Sequence, residues 1–120
     1  MNHVKPDAFI AICPSRVILA RLGEKWSMLI LVALMNQTLR FGALKKQLDG
    51  VSQKMLTQTL RHLERDGMVE RTFYNEMPLR VEYSLTPMGK ELAEHVKTLK
   101  QWAEKYVFEI EARQKEYDAK

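Results

Sequence analysis

Between Ser52 and Gly67 the chain carries two different stripes along a single helical stretch. Leu56, Leu60 and Leu63 recur at i, i+4 and i+7, the spacing that gathers side chains on one face of an α-helix. Lys54, Gln58, Arg61 and Arg65 recur at the same spacing on another side, joined by Gln53 and Thr57. Ser52 supplies an N-cap and Gly67 a stop. A helix of this kind seals a core with one face and leaves the other polar, basic and free to bind. The chain must therefore fold so that this helix lies at its surface.

The flanking sequence supplies the rest of the framework. Pro14 fits a first helical turn and Gly23 a turn out of a helix, so Pro14 to Leu22 reads as a helix with Cys13 at its N-cap. Glu24 to Met35, with Trp26, Leu29, Ile30, Val32, Ala33 and Leu34, is apolar nearly all round and belongs at the centre of the core. Thr38 to Arg40 is short and extended, and Phe41 to Leu48 forms a short helix closed by Asp49-Gly50. After Gly67, Met68 to Phe73 and Arg80 to Leu85 read as two strands, the second alternating with Val81, Tyr83 and Leu85 inward and Glu82 and Ser84 outward. Tyr74 to Leu79 is the polar tip between them, and Thr86-Pro87 caps and opens a last helix to Tyr117. The expected architecture is mainly α with a small β-hairpin: a winged helix-turn-helix, residues 1–120 forming a single domain.

The charge follows this plan. Residues 40–65 hold Arg40, Lys45, Lys46, Lys54, Arg61 and Arg65 against Asp49 and Glu64, which equals the whole chain's net charge of +4. A concentrated positive face of this kind suits a polyanion, because phosphate contacts act through local potential and counterion release.

Other classes of function lose ground on the same residues. The longest apolar run, Met28 to Met35, is far short of the ~20 residues a membrane helix needs. Met1 to Ile12 lacks the apolar stretch and cleavage site of a secretory signal, so a cytoplasmic protein is expected. Cys13 is the single cysteine, and His3, His62 and His95 are isolated, so no metal or cofactor site is expected. No glycine-rich phosphate loop or nucleophile elbow suggests an enzyme. The remaining alternative is a winged-helix protein-interaction module, which would have a neutral or acidic helix in place of the Lys54, Gln58, Arg61, Arg65 face.

Particular residues extend the fold to a family. Cys13-Pro14, Gly23-Glu24-Lys25-Trp26, Arg40-Phe41 with Leu44, and Gly50-Val51-Ser52 with Lys54 and Leu56 form the first part of the pattern. Leu60 to Gly67, then Pro78 leading to Val81 to Thr86 and Gly89, form the second. From Cys13 to about Trp102 the chain resembles the HxlR family of MarR-like bacterial transcriptional regulators. Ala43, where many members have an acidic residue, and Glu24, where a second glycine is common, depart from the pattern away from the expected DNA face. The resemblance implies a homodimer that binds an operator in its own or a neighbouring promoter, often at stress or detoxification genes.

The residues then take expected roles. Ser52 to Asp66, the N-cap Ser52 included in the DNA-binding set, would enter the major groove of a palindromic or near-palindromic duplex, with Gln53, Lys54, Thr57 and Gln58 near base edges. Arg61 and Arg65 would reach phosphates, and Arg40, Lys45 and Lys46 the flanking backbone. On the wing Arg80 is the cation nearest the tip, free for DNA or paired with Glu76 or Glu82. The last helix spans ~46 Å, more than one domain of ~13 Å radius of gyration covers. Its Leu92, Val96, Leu99, Ala103, Tyr106, Ile110 seam must in part cover the domain's own core, and Leu99, Trp102, Tyr106 and Ile110, with Phe9 and Ile10 from the N-terminal arm, are the expected dimer interface. Cys13 resembles the redox or electrophile sensor of several family members. The helix N-terminus and Arg16 would favour its thiolate, the other reading being an inert thiol packed beside Phe9 and Ile12.

Overall fold

The structure, a computed structural model, describes residues 5–120; His3 and the start of the N-terminal arm lie outside the described residues. Five helices and two strands follow in the order α1 (Pro14–Leu22), α2 (Lys25–Ala33), α3 (Phe41–Gln47), α4 (Gln53–Arg65), β1 (Val69–Tyr74), β2 (Arg80–Leu85) and α5 (Pro87–Asp118). This is a winged helix-turn-helix with a long C-terminal helix.

α2 is the centre of the packing, touching each of the other four helices. Its Ile30 and Leu31 are sealed in the core with Leu34, which caps it, and with Leu44, Leu56, Leu60 and Leu63 from the helix-turn-helix. The helix ends earlier than Met35, and the Gln37 side chain donates to the carbonyl of Ala33 at 3.0 Å. It is also less enclosed than its composition suggests. Met28, Leu29 and Val32 line a groove between α2 and α5 and are only half-buried.

β1 and β2 pair antiparallel from Val69 opposite Leu85 to Tyr74 opposite Arg80. Leu39 adds a bridge to Tyr83 through two backbone bonds of 3.0 and 2.8 Å, which accounts for the extended stretch before α3. β1 begins one residue later than Met68, because the Met68 N–H turns back to the carbonyl of Leu63 and closes the end of α4. β2 lacks the clean alternation expected of it: Leu85 is buried, while residues 80–84 are all half-buried. Leu39 covers part of one edge, and Glu82 turns toward Arg80 instead of solvent.

α5 starts with the Thr86 side chain accepting from the Gly89 N–H at 3.0 Å and Pro87 in its first turn. Gly89, Ala93 and Val96 bury its first turns; beyond Val96 no residue of the helix is buried.

Candidate nucleic-acid interface

The site is built from the turn upward. α3 closes at Leu48, and Gly50 takes φ +89°, a left-handed conformation that glycine adopts without strain. A methyl group added at Gly50 would meet the ring of Trp26 at van der Waals distance. Ser52 then caps α4, its Oγ accepting from the Met55 N–H at 3.0 Å. Leu56, Leu60 and Leu63 are buried as the leucine stripe requires, and the Thr59 hydroxyl beside them donates to the Met55 carbonyl at 2.7 Å.

With that face fixed, the other is forced outward. Gln53, Lys54, Thr57, Gln58, Arg61, His62 and Arg65 line one open groove along α4. None of the ion pairs among the described residues engages Lys54, Arg61 or Arg65. Six of these seven groove residues were expected from the helical spacing. His62 is the seventh, four residues after Gln58 on the same surface; its isolation from other histidines and from Cys13 argues against a metal site and by itself points to no other role. Arg40 at the N-cap of α3, and Lys45 and Lys46 in its last turn, are exposed and widen the positive surface.

On the wing, Arg80 takes the second of its two expected arrangements. Arg80 Nε lies 3.3 Å from Glu76 and 3.2 Å from Glu82, and the guanidinium sits 4.0 Å above the ring of Tyr74. Arg80 is thus paired within the wing, and the exposed tip carries the apolar Met77 and Leu79 beside the polar Asn75 and Glu76. Arg71 on β1 lies 3.6 Å from Glu64 and against Phe73. Burial raises the phenol pKa of Tyr83 above its ordinary value, the neighbouring Arg71 opposing that shift, so at neutral pH the group is uncharged.

Cys13 is the N-cap residue of α1, and its sulfur lies 3.1 Å from Ser15 Oγ and accepts from the Asp7 N–H at 3.3 Å. The Ser15 hydroxyl, then the Asp7 N–H, hold the thiol pKa below its ordinary value, opposed by slight burial and the Asp7 carboxylate. Arg16 plays no part in this. Its guanidinium donates to the carbonyls of Ala8 and Phe9 at 2.9 and 2.8 Å. Nor does the thiol pack into a core beside Phe9 and Ile12, which are 93% and 92% exposed. An apolar recess of about 510 Å³ opens at the sulfur, walled by Ile10, Ile12, Pro14 and Ile18.

The remaining expected interface residues share one property. Ile10, Leu99, Trp102 and Ile110 are 37–53% exposed despite their apolar character, and Tyr106 is half-buried under the tilted ring of Trp102. Among the described residues, no group of three or more His, Cys, Asp or Glu is placed to hold a metal ion. No helix among them is long and apolar enough to cross a membrane.

A buried-face, basic-face helix after a tight turn, flanked by a hairpin, defines a DNA-binding helix-turn-helix protein. The family described as HxlR-like helix-turn-helix matches residues 21–111, and the chain belongs to that family of transcriptional regulators. It is 46% identical over 98 residues to the uncharacterized HTH-type transcriptional regulator YtfH of Escherichia coli (strain K12), covering 82% of this chain and 78% of that one. The solved structure of a ytfH transcriptional regulator from Salmonella typhimurium superposes with a TM-score of 0.86 at 40% identity, over 92% of this chain and 99% of the other. The redox regulator HypR in its oxidized form matches with a TM-score of 0.72 at 36% identity, over 78% and 96%.

Proposed function

We propose that this chain acts in the cytoplasm as a homodimeric, sequence-specific regulator, its 120 residues working as one domain on a palindromic or near-palindromic operator. The observation that carries the reading is the open face of α4, where three unpaired cations alternate with amide and hydroxyl groups. α4 enters the major groove, with Gln53, Lys54, Thr57 and Gln58 toward base edges. Arg61, Arg65, Arg40, Lys45 and Lys46 neutralise phosphates. Ser52 keeps its capping bond while its hydroxyl proton remains available to a phosphate oxygen. Arg80 reaches DNA only by exchanging Glu76 or Glu82 for a phosphate.

Dimerisation rests on the apolar surface that one chain leaves open. Phe9, Ile10 and the α1 residues Val17 and Leu19 at one end, and Leu99, Trp102, Phe108 and Ile110 along α5, are exposed in the single chain. A second copy covers such a surface without a further partner type. Cys13 serves as the sensor, its polarised thiol lying in the arm that helps form this interface. The resemblance to HypR, a redox regulator by its description, supports that assignment.

Titration of binding to random duplex DNA against salt tests the reading. A steep log–log decline in affinity is expected, since each neutralised phosphate adds about −0.9 to the slope. A flat line would turn the reading toward a protein-contact module.

A further inference from the structure

Asp66 stands at the C-cap of α4, where the helix dipole disfavours a carboxylate. It is not needed there to end the helix. Gly67 takes φ +78°, its N–H meets the Glu64 carbonyl at 3.1 Å, and the Met68 N–H meets Leu63 at 2.9 Å, which together close the last turn. The carboxylate answers instead to Arg21 in the last turn of α1, whose Nη1 reaches both oxygens at 2.7 and 2.9 Å across 45 residues of sequence. The two side chains are 27% and 15% exposed, so the pair is partly shielded from solvent. The next two residues bind α4 to α5. The Thr86 hydroxyl donates to the Gly67 carbonyl at 2.6 Å, the Thr86 N–H to the Met68 carbonyl at 3.0 Å, and Gly89 lies against that same carbonyl.

Residues 66–68 are therefore a junction: immediately beyond the DNA-facing helix, the chain is tied to α1 on one side and to α5 on the other. α1 buries none of its own residues, so its hold on the rest of the fold is slight apart from its packing on α2 and this ion pair. We infer that Arg21 and Asp66 are positioning residues for the recognition helix. Their pair fixes the angle of α4 to α1, and thereby the separation of two recognition helices in a dimer that uses α1. The spacing consequence rests on the dimeric DNA-binding reading above; the angle itself does not.

The test uses the full chain with two readouts. Spin labels on Ala20→Cys and Lys54→Cys in a Cys13→Ser background, with labelled chains diluted into unlabelled ones, report the α1 to α4 distance within one chain. The parent should give one narrow distance, and Arg21→Gln or Asp66→Asn a broadened one. The exchanged pair Arg21→Asp with Asp66→Arg should narrow it again. In parallel, selection of binding sites from a random duplex pool should return the parent's half-site sequence for each single variant, with a wider range of half-site separations. Binding to the parent's best duplex should weaken by about tenfold, as when the competent arrangement falls to about a tenth of the population. Single variants with the parent's distance distribution and lower melting temperatures would overturn the inference and leave the pair a plain stabiliser. If the parent selects no duplex, the DNA reading fails, and the spin-label distances still decide the role of the pair.

Discussion

Arg65 stands between two carboxylates in the chain, Glu64 and Asp66, and pairs with neither: Glu64 lies toward Arg71, and Asp66 is held by Arg21. Adjacent side chains on a helix diverge by about 100°, so sequence neighbours there are poor partners. Arg80 has the opposite outcome for the same geometric reason, since Glu82, two residues on along a strand, shares its face. Arg61→Ala should weaken binding to every duplex and flatten the salt slope by about one, while Arg80→Ala should leave the slope within error. Equal slopes for the Arg61 variant and the parent would remove Arg61 from the DNA face. For Cys13 the sign follows from the lowered pKa: more thiolate at a given pH than in a free cysteine. Alkylation by iodoacetamide should reach half its limiting rate at a lower pH than for a free cysteine, and Ser15→Ala should move that midpoint upward. A midpoint unmoved by Ser15→Ala would show that the hydroxyl does not polarise the sulfur.

α5 depends at its start on a close approach between backbones. A methyl at Gly89 would run into the Met68 carbonyl, a backbone atom held by the Thr86 N–H and unable to swing aside. Gly89→Ala should cost about 1–3 kcal/mol, as overpacking does, and lower the urea midpoint with the slope unchanged. An unaltered midpoint would mean that the end of α4 gives way easily. Element boundaries were largely legible in the sequence because local chemistry sets them: Pro14 and Pro87 open helices, Ser52 and Thr86 cap them, and Gly67 ends one. The two faces of α4 were legible from spacing alone. What escaped was set by distant partners. The Arg21–Asp66 pair spans 45 residues, and the seam between α2 and α5 leaves Met28 and Val32 half-open. β1 starts one residue after the sequence expectation because the closing bond of α4 claims the Met68 N–H.

The radius of gyration is 17.6 Å, against roughly 14 Å for a compact chain of this length, and the long axis reaches 62 Å. α5 accounts for the excess, its 32 residues spanning about 48 Å while only its first turns pack against the rest. Light scattering at micromolar concentration should give twice the chain mass of 14.0 kDa. A value of one chain mass would leave the apolar stripe without its proposed cover. The helix also divides the chain's two tryptophans. Trp26 sits in the packed region against the turn at Gly50, whereas Trp102 lies 53% exposed on the outer stretch, beside Tyr106. Each indole therefore has its own optical environment, one governed by intact tertiary packing and the other by whatever occupies the outer face of α5. With Trp26→Phe, the emission maximum of the remaining indole becomes a spectroscopic gauge of that face, able to register the arrival of a neighbour while the packed region stays silent.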